Sequence, residues 1–461
     1  MEEDNLVVGL DIGTSKISAA AGSLQKDGTI KINGFVERPV VPKDEVLRNG
    51  EIENAHRTIE IIDEVLEELA DKLTINLESV NVNISNPDIS GHYHKGKVTK
   101  SGENKQIQQS DVDKLADDVR VTFKAHPGRM VLHCMPQDFY VNDIKAGEKV
   151  VGKFGVQIGG DFYFITSKSE SLENLHYTLK SVKAKTDDDK PAPINIENVL
   201  LSTVADSFAL IDNTIDDKRN GVAIVNIGAE MTEICIYLKN GIRHFKALPI
   251  GGNAITNDLA ETFHISFEEA EILKKICGNI PSSSINDTEA AVIERKKDLA
   301  PVEIILKNAS TVVEWRLKEI AAIVKSEIIR SGYEGMLTNG IILTGGTASM
   351  GIIKEIFVEV CKIKSVRKAK LSNKINLNGH DFLSKPKYST VLGLLMVSNQ
   401  NFDTRLDNRI LRHATLKELE VESPTTRKSE STKEPKASKK PIFEMLKDLI
   451  IDKKMNDEYI N

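Results

Sequence analysis

The chain is 461 residues long, 40% hydrophobic and 28% charged, with a net charge of −7. That length exceeds what one hydrophobic core serves, so two or more domains are expected, and the acidic balance argues against a nucleic-acid binder held by phosphate contacts. Four scattered cysteines (Cys134, Cys235, Cys277 and Cys361) form no C-x-x-C pair, which argues against a structural zinc and for a reducing compartment.

The acidic start Met1-Glu2-Glu3-Asp4-Asn5 lacks the basic n-region of a signal peptide, and no apolar run reaches membrane-spanning length. Val7-Val8-Gly9-Leu10-Asp11-Ile12-Gly13-Thr14-Ser15-Lys16-Ile17 then passes from a buried-strand pattern to a carboxylate, a glycine, two hydroxyls and a lysine. Two readings fit this stretch. One is a β-hairpin with a polar turn. The other is a phosphate cradle made by turn N–H groups around Gly13, the Thr14 and Ser15 hydroxyls and Lys16, with Asp11 holding the water shell of a phosphate-bound Mg²⁺. Residues 30–36 read as a third strand. Residues 54–73 read as a helix with Ile59, Ile62, Val65, Leu66, Leu69 and Leu73 on one face, and 80–84 as a half-buried strand.

Residues 86–163 change character and read as a small α/β subdomain inserted into this first unit. A helix starts at Ser110-Asp111-Val112-Asp113, and short strands follow near 130–141 and 149–165. His92 and His94 flank Tyr93 at a spacing that suits a metal, but no third ligand is near, so an exposed loop or strand edge is expected. Leu172, Leu175, Leu179 and Val182 mark a helix. Lys183 to Pro193 reads as an exposed loop, whose Asp187-Asp188-Asp189 lacks the spacing and glycine of a Ca²⁺ loop.

Val222-Ala223-Ile224-Val225-Asn226-Ile227-Gly228 repeats the opening pattern, and strands at 234–238 and 242–249 complete the same three-strand meander. This duplication predicts two similar lobes, each presenting a hairpin. Residues 251–277 read as two helices, the second opened by the capping box Ser266-Phe267-Glu268-Glu269. Residues 303–330 read as a long helix with Ile304 and Ile305 on its buried face and Trp315 as a packing residue. Ile341 to Thr347 is a strand ending in the pair Gly345-Gly346, followed by a helix at 349–361. Those glycines either let the backbone pass close to a flat ring or ribose, or simply turn a strand into a helix. Residues 389–399 read as a buried helix, and because Gly393 costs it roughly 1 kcal/mol relative to Ala, a close approach by a neighbour is expected there.

From 401 to 440 the apolar pattern fades. Arg427, Lys428, Lys433, Lys436, Lys439 and Lys440 outnumber Glu430 and Glu434, the pattern of a disordered basic linker. Beyond it, 441–454 reads as a short amphipathic helix with Ile442, Phe443, Met445, Leu446, Leu449 and Ile450 on one face. Docking back on the body, binding a partner groove and lying in a membrane interface are all open to it. The basic linker with Lys453 and Lys454 favours an anionic membrane surface.

There is no Walker A motif and no G-x-G-x-x-G. The hairpins at 11–16 and 228–232 and the glycine pair at 345–346 instead resemble the actin, sugar-kinase and heat-shock chaperone superfamily. Within it the chain is similar to the bacterial FtsA cell-division family. The resemblance rests on Val8-Gly9-Leu10-Asp11-Ile12-Gly13-Thr14, His133-Cys134-Met135-Pro136-Gln137, Gly252-Asn253-Ala254-Ile255-Thr256-Asn257-Asp258 and Ala270-Glu271-Ile272-Leu273-Lys274. Leu343-Thr344-Gly345-Gly346 and Tyr388-Ser389-Thr390-Val391-Leu392-Gly393-Leu394 complete it, in the family's order.

The implied fold class is α/β: an actin-like two-lobed fold with duplicated mixed-sheet ribonuclease-H-like subdomains, an inserted small α/β subdomain, a disordered linker and a C-terminal amphipathic helix. The implied organisation is a first-lobe core over 1–85 and 164–200, the family's inserted subdomain over 86–163, and a second-lobe core over 201–250 and 321–378. An outer subdomain spans 251–320, a returning helix of the first lobe 379–400, the linker 401–440 and a membrane-targeting helix 441–454.

The resemblance implies ATP with Mg²⁺ between the lobes. Asp11, Gly13, Thr14, Ser15 and Lys16 would form the first phosphate hairpin, with Asp11 reaching Mg²⁺ through water. Gly228 and Thr232 would fall in the second hairpin, and Glu271, Lys274, Gly345 and Gly346 would lie around the adenosine. It further implies filaments on the cytoplasmic side of the cell membrane at the division site, recruitment of the tubulin-like GTPase FtsZ, contacts with later division proteins, and no nucleic acid. The family's second hairpin usually reads Asp-Ile-Gly-Gly-Gly-Thr with a further Asp. Here Asn226, Ala229 and Glu230 depart from it, so ATP hydrolysis is expected to be weak or absent, and no catalytic residue is assigned. The alternatives are a superfamily ATPase or kinase, or a pilus-assembly relative of the same core.

Overall fold

Each half of the chain builds the same sheet, and the rest of the molecule is arranged around the two copies. The computed structural model describes residues 6–100, 104–147, 150–185, 191–211, 217–293, 300–363 and 365–397. The linker 401–440, the amphipathic segment 441–454 and the triplet Asp187–Asp189 lie outside the described residues.

In the first half, β1 (Leu6–Ile12), β2 (Lys16–Leu24) and β3 (Ile30–Pro39) form the expected meander. A small hairpin of β4 (Leu47–Arg48) and β5 (Glu51–Ile52) follows, then α1 (Ala55–Leu73) and β6 (Ser79–Ile84). Asn54 caps α1 by accepting the Arg57 N–H at 3.0 Å. The helix lays Ile61, Ile62, Val65, Leu66 and Leu69 onto the sheet. After the insert come α3 (Ser169–Lys180), β11 (Lys183–Lys185), β12 (Pro191–Pro193), β13 (Asn195–Leu201) and α4 (Ser202–Leu210).

The second half follows the short α5 (Asp217–Asn220) with β14 (Val222–Ile227), β15 (Thr232–Leu238) and β16 (Gly241–Leu248). Then come α6 (Gly252–Phe263), α7 (Phe267–Cys277), β17 (Ala290–Ile293), β18 (Val302–Ile305), α8 (Leu306–Arg330), β19 (Ile341–Thr344), α9 (Ile353–Cys361), β20 (Val366–Lys368), β21 (Ile375–Asn376) and α10 (Ser389–Leu395).

The first sheet has the order β13-β6-β1-β2-β3-β21 and the second β16-β15-β14-β19-β20. Strand by strand, β3-β2-β1-β6-β13 matches β16-β15-β14-β19-β20, with an antiparallel meander followed by two parallel strands in both. The duplicated, actin-like α/β architecture implied by the sequence is therefore the observed one. The inner faces of the two sheets are separated by α4 and α10, which pack on each other. Gly393 sits at their crossing, where a Cβ would lie 1.9 Å from the Ala205 carbonyl oxygen. The predicted close approach is thus real, and it fixes the separation of the lobes. Helix α4 shares its buried Val204, Ala205 and Leu210 with a cluster that takes in residues of both sheets, Leu10 and Val82 of the first and Ile224 and Phe245 of the second among them.

The insert has its own four-stranded sheet, ordered β7-β10-β8-β9, from β7 (Ser90–Thr99), β8 (Arg129–Val141), β9 (Ile144–Gly147) and β10 (Gln157–Lys168), covered by α2 (Gln109–Thr122). It has a separate core around Leu115, Phe139, Phe162 and Phe164. His92 and His94 lie on β7, the edge strand. The insert also touches the second lobe. Tyr93 Oη donates to the Arg243 carbonyl at 2.5 Å, Gln137 Nε2 to the Ile242 carbonyl at 2.7 Å, and the Phe245 N–H to Tyr163 Oη at 3.1 Å.

Several expectations need correction. The ends of the segment read as an exposed loop, 183–193, pair as the two-stranded β11–β12 sheet. Ile304 and Ile305 belong to β18, which pairs with β17, so the long helix starts at Leu306. The strand placed at 149–165 runs from Gln157 to Lys168. Trp315 is 71% exposed on α8 and packs into no core. The strand at 80–84 is buried on both faces, because α10 covers the side carrying Asn81, whose Nδ2 donates to the Leu394 carbonyl at 3.0 Å.

Candidate nucleotide site

The two lobes present the same turn. The Gly13 N–H donates to the Lys16 carbonyl at 3.0 Å, and the Gly228 N–H donates to the Met231 carbonyl at 2.8 Å. Pairing Ile12 with Ile17, and Ile227 with Thr232, equates the hairpins position by position. Asp11 corresponds to Asn226, Thr14 to Ala229, Ser15 to Glu230, Lys16 to Met231, Ile17 to Thr232 and Ser18 to Glu233.

In the first hairpin Asp11 carries an ion pair. Lys16 Nζ lies 2.8 Å from Asp11 Oδ2, donates to Ser18 Oγ at 2.9 Å, and sits 5.6 Å from the centre of the Tyr388 ring. Asn83 completes the setting, donating to Asp11 Oδ1 at 2.9 Å while its own Oδ1 accepts the Ile12 N–H at 2.8 Å. Thr14 is half-buried and Ser15 exposed at the tip of the turn.

The second hairpin has lost both members of that pair together. Asn226 and Met231 replace Asp11 and Lys16, so the ion pair is lost as a unit, and the charges of this hairpin are the carboxyls Glu230 and Glu233. Asn226 Nδ2 donates instead to Asp206 Oδ2 on α4 at 2.7 Å. Asp206 Oδ1 accepts from Ser389 Oγ at 2.7 Å and Thr390 Oγ1 at 2.9 Å on α10. This carboxyl is fully buried, and burial pushes its pKa up to about 7 against the pull of those hydrogen bonds. Glu233 is also buried, which raises its pKa, while its Oε2 accepts the Thr203 N–H at 2.9 Å. Thr232, expected to face a phosphate, is fully buried and donates to the Ile250 carbonyl at 2.6 Å. It occupies the inward position that Ile17 holds in the first hairpin, a consequence of strand alternation that the motif alone does not reveal.

The predicted adenosine residues converge on the second hairpin. The Gly228 carbonyl accepts the Gly252 N–H at 2.9 Å and Thr347 Oγ1 at 3.0 Å. Lys274 donates to the Gly252 carbonyl at 3.1 Å and to Thr256 Oγ1 at 2.7 Å, and it forms an ion pair with Glu271. Burial lowers the Lys274 pKa and Glu271 raises it again. Gly345 has φ +87°, and a Cβ there would lie 2.4 Å from Asn226 Oδ1, whereas a Cβ on Gly346 would meet nothing within 4 Å. The first glycine is demanded by the turn; the second leaves an open face.

These residues suit a magnesium nucleotide. Each lobe presents a turn with N–H groups, Lys16 and Lys274 supply cations beside the first and second turns, and each Asp11 oxygen keeps a lone pair for a metal-bound water. Asn83, Asp206, Thr256 and Thr347 were missed from the sequence. The only signals were isolated polar residues inside otherwise apolar segments, as in Val80-Asn81-Val82-Asn83-Ile84.

Comparison with known proteins shows the family and the fold. Residues 223–393 match the family model "Cell division protein FtsA", and residues 87–166 match "SHS2 domain inserted in FTSA". The chain is 27% identical to the cell division protein FtsA of Pseudomonas aeruginosa over 87% of this chain and 91% of the relative. It is 24% identical to that of Escherichia coli K12 over 88% and 94%. Among solved structures, the PilM-PilN type IV pilus biogenesis complex matches with a TM-score of 0.59 at 13% identity, over 86% of this chain and 98% of that one, which is a likeness of fold. With the family's own insert in place within the first lobe of a duplicated actin-like frame, and relatives aligned along nearly nine-tenths of its length, the chain belongs to the FtsA family of cell division proteins.

Proposed function

We propose that the chain is an ATP-binding assembly protein. It polymerises on the cytoplasmic face of the cell membrane, tethers FtsZ filaments to it at the division site, and helps to recruit later division proteins. The observation that carries this reading is the pair of matching hairpins, one on each lobe, in a chain of the FtsA family with that family's insert.

Bound Mg²⁺ would neutralise phosphate charge, and Asp11 would hold its water shell. Lys16 and the first turn would take the phosphates, and Lys274, Glu271 and Gly346 the adenosine end. The second hairpin, with Asn226 in place of a carboxylate and Glu230 at its tip, suits holding ATP as an assembly ligand better than turning it over. Residues 441–454 would supply the anchor, with Ile442, Phe443, Met445, Leu446, Leu449 and Ile450 in the interface and Lys453 and Lys454 against anionic headgroups. One such helix binds reversibly, and a filament multiplies it by avidity. A pilus-assembly reading shares the fold, but the match of residues 87–166 to the FtsA-type insert favours division.

The test is cosedimentation of the full chain with FtsZ and anionic liposomes, with and without ATP·Mg²⁺. FtsZ should pellet only when the chain is present, and deletion of 441–461 should abolish pelleting. FtsZ left in the supernatant by the full chain would refute the tether, and undiminished pelleting of the truncated chain would refute the anchor.

A further inference from the structure

The tip of the second hairpin reaches the other lobe. Glu230 Oε2 accepts the Asn49 N–H of the first lobe at 2.6 Å. Asn49 and Gly50 form the two-residue turn between β4 and β5, with φ of +49° and +79°. Such primed turns need left-handed backbone at both positions, which Asn-Gly supplies. The turn has little room to move. A Cβ on Gly50 would lie 1.6 Å from the Ser85 carbonyl oxygen at the end of β6, and Ser171 Oγ donates to Glu51 Oε1 at 2.7 Å. The Asn49 N–H is therefore a fixed donor, mounted on the first lobe and aimed at the second.

The equivalent position in the first hairpin is Ser15, short and neutral. Position 230 instead carries a half-buried carboxylate at the tip of a turn that, on the reading above, faces phosphate. The charged groups around it are Arg48, which attracts it, and Glu53, which repels it, and Arg48 is itself paired with Glu53 at 2.8 Å. Desolvation raises the Glu230 pKa, so its charge is costly where it stands and is held there mainly by the Asn49 N–H.

We propose that Glu230 is a specificity-determining residue of the nucleotide cleft: clamped by the Asn49 amide of the opposite lobe, its carboxylate latches the cleft and disfavours the terminal phosphate of a nucleoside triphosphate relative to a diphosphate. The proposal rests on the nucleotide reading of the hairpins. The terminal phosphate adds negative charge at the hairpin tips, where Glu230 stands, whereas the adenosine end lies near Gly252 and Lys274. Glu230 thus acts on one end of the ligand only.

Two variants of the full chain separate charge from reach. Glu230→Gln keeps an oxygen that can accept from Asn49 but removes the charge; Glu230→Ser copies the first hairpin and removes both. Calorimetry with ATP·Mg²⁺ and ADP·Mg²⁺ should show ATP affinity raised on the order of tenfold in both variants, the scale of removing one partly screened like charge, with ADP affinity unchanged. Equal shifts for the two nucleotides, or none, would overturn the discrimination. Nitroxide labels on the exposed positions Lys31 and Glu303 report the lobe separation without nucleotide, the four native cysteines being buried. The interlobe distance distribution should broaden in Glu230→Ser and not in Glu230→Gln; an unchanged distribution in Glu230→Ser would overturn the latch. If neither the unsubstituted chain nor either variant binds either nucleotide, the nucleotide reading and the discrimination fall together, and the label distances still decide the latch.

Discussion

Asp206 offers the sharpest test of the buried network beneath the second hairpin. Its carboxyl joins α4 to α10 through Ser389 and Thr390 and to β14 through Asn226, in a place without solvent. Replacing it with Asn keeps the shape and one accepting oxygen and removes the titration. The folded-state pKa, about 7, lies above the ordinary carboxylate value. A group shifted upward contributes stability that is fully present below its unfolded pKa and is lost as pH rises through the folded one. With an unfolded pKa of ~3.9 and about 1.36 kcal/mol per pKa unit, the parent chain should lose roughly 2–3 kcal/mol between pH 5 and pH 8 through this group alone. Asp206→Asn carries no such loss. Glu233 also titrates upward, but it does so in both proteins and largely cancels in the difference. The assay is guanidinium unfolding of both chains at several pH values. The stability of Asp206→Asn minus that of the parent should grow with pH by that amount. A difference that stays flat from pH 5 to pH 8 would show that Asp206 is ionised at little cost, and the argument from desolvation would be wrong.

Two further perturbations address the frame around the site. Gly393→Ala forces a Cβ into the Ala205 carbonyl and should destabilise the chain by about 1–3 kcal/mol, even though alanine is the better helix former; a stability gain in thermal unfolding would mean that α4 and α10 are free to separate. Asn83→Ala leaves the Ile12 N–H and an Asp11 oxygen without their partner and should cost about 1–3 kcal/mol, together with weaker ATP·Mg²⁺ binding by calorimetry. Binding and stability both unchanged would remove Asn83 from the support of the first hairpin.

Much of this architecture was written locally. The duplicated run from apolar strand to Gly13 and Gly228 specifies two hairpins, because strand alternation and a glycine turn are short-range properties. The capping box at Ser266 behaves as its spacing requires, with Ser266 and Glu269 exchanging hydrogen bonds at 3.2 and 2.7 Å. Gly393 announced a close neighbour by being a poor choice for an isolated helix. Asp11, Lys16, Gly228, Glu271, Lys274 and Gly345 could all be named from motif and resemblance, since four sit in or beside local turns and Glu271 and Lys274 share the single capped helix α7.

What the sequence by itself determined is therefore the main strands and helices of each lobe, the duplication, the hairpins and the family. Only the tertiary structure decided which polar groups share a site. Thr232 faces inward because the register of β14 on β15 makes it the counterpart of Ile17. The amide at position 226 in place of a carboxylate makes sense only when Asn226 is seen donating to Asp206, twenty positions earlier in the chain. Glu230 finds Asn49 across 181 positions of sequence. Contacts of this kind follow from how two sheets are spaced by α4 and α10, and that spacing is a property of packing between segments, which no single segment encodes.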